Sequence, residues 1–308
     1  MGLCNNVYTP KPIRKAIILA AGRGTRLGPI TCGIGGSGIG ISKPLAQVFD
    51  KPTIYYPLSD MIAAGIIEIL VIASPDNVDQ FESLLGDGAN LGISISYEVQ
   101  VEPKGIAEAF SIGKDFIGND GVALIFGDNV FSGAGFSRQL AEAANNNAGA
   151  TVFAYHVNDP ENFGVVEFDD QGKAVSLEEK PTQPRSDYAV VGVYFYDNSV
   201  VEIAENLTPS DRGELEITDV NIEYLKRGGL NVVTLNSDTH WYDTGNARAL
   251  FDASVHVKEF QERTGDLKGS PELTAFRCGR INREQFSDLV SPTLRKSDYG
   301  KKLVDLVC

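Results

Sequence analysis

The sequence predicts an α/β fold, a mostly parallel central sheet with helices on both faces. Three observations carry that expectation. Short apolar runs rich in Ile and Val alternate with segments of helical periodicity. The runs are apolar almost throughout, as strands are when both of their faces are covered. At 308 residues, 43% of them hydrophobic, the chain is also long enough to bury a large core.

The elements follow in order. KAIILA (15–20) reads as a buried strand that runs at once into glycines. YYPLSDMIAAGI (55–66) has helical apolar spacing and ends at a glycine. EILVIAS (68–74) is the next strand, and VDQFESLLGDG (78–88) a helix stopped by glycine. ISISYEVQ (93–100) alternates as a strand does, IAEAFSIGKDFI (106–117) reads as one helix, GVALIFGD (121–128) as a strand and FSRQLAEAANN (136–146) as a helix. Beyond residue 150 the texture changes to strands with turn signals, DDQGK being a hairpin turn. ITDVNIEYLKRGG (217–229) is a helix and LNVVTLN (230–236) a strand. From about residue 246 the pattern is mainly helical.

Charge and cysteine content narrow the class. Lys and Arg number 27 against 41 Asp and Glu, a formal charge of −14. A nucleic-acid polymer or an anionic membrane needs a basic face, so neither is the expected partner. No apolar run approaches the ~20 residues of a membrane span. Cys4, Cys32, Cys278 and Cys308 show no C-x-x-C spacing, which fits a reduced, cytoplasmic protein. MGLCNNVYTPKPIR carries no signal-peptide core, and residues 1–14 are expected to form a flexible extension.

In an open parallel sheet, ligands bind at the carboxyl ends of the strands. LAAGRGTRL (19–27) lies there. Its Gly22 and Gly24 can turn backbone N–H groups toward an anion, and Arg26 adds a forked cation. Taken alone, the segment is equally a surface turn with a solvated arginine. FGDN (126–129) places Asp128 at a strand end, and WYDTGN (241–246) does the same for Asp243. A pair of such carboxylates suits a divalent ion held between phosphates, although a lone Gly-Asp is more often an ordinary turn. SLEEKP (176–181) sets Lys180 beside an acidic pair and, by itself, reads as a solvated strand end. In CGIGGSGIG (32–40), Gly33, Gly35 and Gly38 fit G-x-G-x-x-G. That spacing marks a dinucleotide site only after a strand and before a helix, whereas here it follows another glycine loop.

Taken in order, LAAGRGTRL, SKPLAQVFDKPTIYYPLSDMIAAGI, FGDN, FAYHVNDPENFGVVEFD, LEEKP, RGELEITDVN and WYDTGN resemble the sugar-1-phosphate nucleotidyltransferases over about residues 15 to 300. The resemblance implies a Rossmann-like nucleotidyltransferase fold with a mixed central sheet. It places a core at 15–245, with a nucleotide part to about 150 and a sugar-phosphate part beyond, followed by a helical segment at 246–308. It implies transfer of a thymidylyl group from dTTP to α-D-glucose 1-phosphate with release of pyrophosphate, a Mg²⁺ cofactor and a homotetramer.

By the same resemblance Leu19, Ala21, Gly22, Gly24, Thr25 and Arg26 hold the nucleotide, and Lys43 is a second phosphate-loop cation. Gln100, which offers both a donor and an acceptor, reads the pyrimidine edge with Gly105. Asp128 and Asp243 carry the metal. Asn129, Gly164, Glu179, Lys180, Val190, Tyr194 and Arg212 form the sugar-phosphate pocket. Arg26, Lys43, Asp128 and Lys180 are the catalytic set. No protein nucleophile is required, because the sugar-phosphate oxygen attacks the α-phosphorus directly. His156, His240 and His256 are scattered and receive no role.

Three positions depart from the family pattern. Ala21 replaces a glycine, Pro44 follows the loop lysine where glutamine is usual, and Phe163 replaces a tyrosine. The first two leave the base open between dTTP and UTP, and another hexose 1-phosphate stays open with it. A non-catalytic sugar-nucleotide regulator would have lost a metal aspartate or a loop cation, and all are present. The segment CGIGGSGIG lengthens the interval between Arg26 and Lys43 beyond the family's spacing, so it reads as an insertion that must bulge outward.

Overall fold

The structure, a computed structural model, describes residues 11–22, 24–36 and 40–307. The extension expected over residues 1–14 lies outside the described residues as far as residue 10. Residues 11–14 join the fold: Ile13 is buried and its N–H donates to Ala144 O at 2.7 Å.

Strand β1 (Lys15–Ala20) leads through a short helix α1 (Pro29–Cys32) to a small hairpin, β2 (Gln47–Val48) and β3 (Lys51–Pro52). Then come α2 (Tyr55–Ala63), β4 (Glu68–Ala73), α3 (Val78–Leu85), β5 (Ser94–Val99), α4 (Glu108–Ile112), α5 (Lys114–Ile117), β6 (Val122–Phe126), β7 (Asn129–Ser132) and α6 (Phe136–Asn146). The second part holds β8 (Ala150–His156), β9 (Gly164–Phe168), β10 (Ala174–Glu179), β11 (Tyr188–Tyr196), α7 (Ser199–Glu205), α8 (Ile217–Lys226), β12 (Leu230–Thr234) and β13 (His240–Asp243). Four helices close the chain: α9 (Ala247–Thr264), α10 (Pro271–Arg277), α11 (Arg283–Leu289) and α12 (Asp298–Val307). No helix among the described residues is long and apolar enough to cross a membrane.

The main sheet runs β10-β9-β11-β6-β1-β4-β5, with β8 on β11 and β12 on β8. It is parallel from β6 through β1 and β4 to β5, and antiparallel where β11 meets β6, β8 and β9. The sheet is therefore mixed, and the parallel half gathers four strand ends at one edge. Successive residues of β1 serve opposite faces. Ile18 packs with Val71, Ile125 and Leu58 of α2, while Ile17 packs with Leu70, Leu124 and Phe110 of α4. Burying one such side chain stabilises the fold by about 1.5–3 kcal/mol. The terminal helices share the first of these cores through Leu273, Phe286 and Leu303, so they pack as part of the sheet's cover.

Two expected elements differ in detail. The helix expected over 106–117 is broken at Gly113, where a Cβ would lie 2.9 Å from Ile17 Cδ1 and 3.1 Å from Ala109 O. The break lets the segment sit close on the sheet. The strand expected over 121–128 ends at Phe126; the chain turns through Gly127 and Asp128 and leaves as β7, which pairs with β13 instead of the main sheet.

Candidate active site

A cleft of ≈ 1010 Å³ opens at the carboxyl ends of β1 and β6. One wall is the loop after β1. Gly24 takes a left-handed φ of 65°, and Thr31 Oγ1 donates to its carbonyl at 2.6 Å. Beyond α1 the chain makes its glycine-rich excursion and returns: Gly40 N–H donates to Thr31 O and Ile41 N–H to Ile30 O, both at 3.0 Å. A Cβ at Gly40 would collide with the Ile30 carbonyl, so this closure needs glycine. The excursion is pinched off at its base, and residues 37–39, which include Gly38 of the G-x-G-x-x-G match, lie outside the described residues.

The pinch brings the cations on either side of the insertion to one place. Lys43 Nζ lies 3.4 Å from Asp128 Oδ2, and Arg26 Nη2 lies 3.9 Å from Asp243 Oδ2. Pairing of β13 with β7 sets Asp243 opposite Asn129, and so beside Asp128 in the turn just before β7. Thr244 ties them further, its N–H and hydroxyl both donating to Asp128 O at 3.0 and 2.7 Å. Asn129 Nδ2 donates to Asp128 Oδ1 at 3.2 Å, and Asn129 Oδ1 in turn accepts from Trp241 Nε1 at 2.7 Å. Burial, and then the neighbouring Asp128 carboxylate, raises the pKa of Asp243, with Lys43 and Arg26 opposing. Two carboxylates that repel each other in a partly desolvated cleft suit a hard divalent cation. No group of three or more His, Cys, Asp or Glu with metal-holding placement occurs among the described residues. A pair of carboxylates fits Mg²⁺, which typically takes one or two and completes its shell with water and substrate phosphates.

The facing wall comes from β9–β11 and α8. Glu179, last in β10, accepts from Thr218 Oγ1 at 2.5 Å and from Arg212 Nη1 at 3.3 Å, and Lys180 Nζ lies 3.8 Å away. Lys180 holds a positive φ of 44°, an uncommon backbone for a residue with a side chain, while its N–H donates to Phe163 O at 2.9 Å. Gly164 leaves room for this network: a Cβ there would sit 2.7 Å from Thr218 Oγ1. Acidic groups crowd the wall. The pKa values of Tyr194, Glu216 and Asp219 are all raised, by burial first and with Glu179's charge adding.

Of the residues expected from sequence, Leu19, Gly22, Arg26, Lys43, Asp128, Asn129, Gly164, Glu179, Lys180, Val190, Tyr194 and Asp243 line this one cleft. Ala21, Gly24, Thr25, Gln100, Gly105 and Arg212 do not line it. The Arg212 guanidinium is committed to carboxylates, Glu179, Glu214 at 2.9 Å and Glu216 at 3.5 Å, so it braces Glu179 from behind. Gln100 does not present the free donor expected of it: Nε2 is spent on Glu108 Oε2 at 2.7 Å and, more distantly, on Gly105 O at 3.4 Å. Thr218, Trp241 and Tyr155 line the cleft without having been named as site residues. Thr218 and Trp241 lay inside the motifs RGELEITDVN and WYDTGN, and the chain's only tryptophan, two residues before Asp243, was a usable signal.

Comparison with known proteins agrees with this geometry. The nucleotidyl transferase family model matches residues 15–259. A glucose-1-phosphate thymidylyltransferase of Neisseria meningitidis is 50% identical over 293 residues, covering 95% of this chain and 99% of its own length. One from Mycolicibacterium smegmatis is 50% identical with the same coverage. Among solved structures, a Bacillus anthracis protein described as a glucose-1-phosphate thymidylyltransferase, bound to sucrose, aligns with a TM-score of 0.70 at 39% identity, covering 79% of this chain and 94% of its own. A UDP-glucose pyrophosphorylase with UDP-glucose shares the fold, with a TM-score of 0.69 at 24% identity over 80% of this chain and 99% of its own.

Proposed function

The chain belongs to the nucleotidyl transferase family, and from that premise we propose that it transfers a thymidylyl group from dTTP to α-D-glucose 1-phosphate, giving dTDP-glucose and pyrophosphate. One observation carries the reading. A wall of cations and paired aspartates, Arg26, Lys43, Asp128 and Asp243, faces a wall of polar groups, Glu179, Lys180 and Thr218, across a single cleft. Such a cleft takes an anionic triphosphate on one side and a hydroxyl-bearing phosphate ester on the other.

The reaction balances without a protein nucleophile. A phosphate oxygen of glucose 1-phosphate forms a bond to the α-phosphorus. The bond from that phosphorus to the oxygen bridging to the β-phosphate breaks, and pyrophosphate leaves with the electron pair. Catalysis is then positioning and charge neutralisation. Lys180, fixed by its strained backbone beside Phe163, orients the attacking phosphate. Glu179, aligned by Thr218 and Arg212, accepts hydrogen bonds from sugar hydroxyls. Arg26 and Lys43 offset charge that gathers on the departing pyrophosphate. Asp128 and Asp243 would hold Mg²⁺, and the charge it would supply would screen the repulsion between the two phosphate-bearing substrates.

The test is a nucleotide panel with glucose 1-phosphate and Mg²⁺, read by product chromatography and pyrophosphate release. dTTP is expected to give dTDP-glucose, with UTP used less well and purine nucleotides poorly. Absence of dTDP-glucose, or equal use of ATP and dTTP, would sink the reading.

A further inference from the structure

Resting on the thymidylyl-transfer reading, we infer that Glu108 is a positioning residue that locks the Gln100 amide so that only its carbonyl oxygen faces the base. That selects rings bearing a hydrogen on N3.

Gln100 stands in the right place. The parallel ladders pair Ala20 with Ala73 and Ala73 with Val99, and Gln100 N–H donates to Ala73 O at 2.9 Å. Gln100 is therefore level with the start of the phosphate loop and two strands to the side. At roughly 4.8 Å per strand the offset is about 10 Å. A nucleoside whose phosphates lie on the loop after β1 spans that offset with its sugar and base.

The orientation follows from chemistry. A glutamine amide has a donor end and an acceptor end that density alone seldom tells apart, and neighbours must decide. Here the neighbour is a carboxylate, which accepts only. Glu108 Oε2 at 2.7 Å fixes Nε2 at that end. The second amide hydrogen faces Gly105 O at 3.4 Å, held there because Leu215 N–H donates to Lys104 O and Ala107 N–H to Leu215 O. Both donors are used. Oε1 accepts from none of the described residues and is not among the fully buried unpaired polar atoms, so it is the group left for a ligand. Thymine and uracil offer an N3–H to such an acceptor. Cytosine offers a bare N3 lone pair, so two acceptors would meet with no hydrogen between them.

The experiment compares kcat/KM for dTTP and dCTP, each with glucose 1-phosphate, in the wild type, E108Q, E108D and Q100A. In E108Q the neighbouring amide presents either a donor or an acceptor, so Gln100 can flip. The dTTP-to-dCTP preference is expected to shrink on the order of tenfold, the scale of one hydrogen bond's orientation. The KM for glucose 1-phosphate and the kcat with dTTP are expected to hold. E108D keeps the carboxylate and most of the preference, and Q100A loses it. A preference intact in E108Q but lost in Q100A would overturn the inference, as would equal losses with both nucleotides. If E108Q does not fold, E108A, which removes the acceptor altogether, decides: a shrunken preference with unchanged acceptor KM supports the inference, and an unchanged preference overturns it. A wild type that makes no dTDP-glucose fails the parent reading instead.

Discussion

Asp243 is the side chain whose surroundings say most about what the cleft takes. Its carboxyl is pushed up by burial and by the Asp128 charge, the electrostatic setting that a bound cation would relieve. Asp128→Asn and Asp243→Asn keep shape and remove one charge each. Turnover at saturating Mg²⁺ is expected to fall on the order of a hundredfold or more, the scale of a lost transition-state stabiliser, while thermal melts show no loss of stability. Near-normal turnover of either variant at low Mg²⁺ would disprove the metal role. These aspartates were legible as candidates because each stands next to a glycine-bearing turn at a strand end, Asp243 as the last residue of β13 and Asp128 in the turn after β6. Arg212 and Gln100 were legible only as types. What they do depends on Glu179, Glu214 and Glu216 in one case and on Glu108 in the other. Glu179 reaches Arg212 only through tertiary folding, whereas Glu214 and Glu216 lie in the same motif and Glu108 stands eight residues beyond Gln100, so the sequence held these residues but not the contacts they make.

Among the elements, the loop between β1 and β2 is where sequence and structure meet most usefully. The sequence showed an insertion between two cations that had to converge. It could not show how, because the device is a pair of backbone hydrogen bonds, Gly40 to Thr31 and Ile41 to Ile30. Gly40→Ala attacks that device directly, since the added Cβ meets the Ile30 carbonyl and Thr31 backbone, neither of which can swing aside as a side chain would. Opening the pinch separates Lys43 from Arg26. The KM for dTTP is expected to rise about tenfold or more, the cost of one misplaced charge-assisted contact, while the KM for glucose 1-phosphate stays put. Equal changes in both constants would show that the pinch does not position the nucleotide cations. The strands of the parallel half were readable for a simpler reason: a run buried on both faces has to be apolar throughout. The break at Gly113 was hidden because the reason for it is Ile17, on another element.

At the scale of the whole molecule, the docking of the C-terminal helices onto the sheet's cover has a cost that pH exposes. Asp60 of α2 is 3% exposed, its Oδ2 is buried without a partner, and its nearest counter-charge is Lys268 after α9, Nζ to Oδ1 3.7 Å. Burial raises its pKa to about 6 from an ordinary 3.8, against the pull of Lys268. His256 of α9, whose own pKa is lowered by burial and then by His240, feels Lys268 as well. The sign follows from proton binding. Between the two Asp60 values the folded chain keeps a proton that the unfolded chain has released, so raising the pH through this window favours unfolding. Asp60 therefore contributes most below about pH 4, and that contribution is gone above about pH 6. The shift from 3.8 to about 6 corresponds to about 3 kcal/mol. Asp60→Asn holds the same shape and cannot ionise. Urea unfolding of wild type and variant at pH 4, 5, 6 and 7 isolates the residue, because every other titrating group cancels in the difference. The difference is expected to move in the variant's favour by about 2 kcal/mol from pH 4 to pH 7, with most of the change between pH 4 and 6. A difference that stays constant across the series would mean that Asp60 titrates alike in both states and that the Lys268 pair fully offsets its burial.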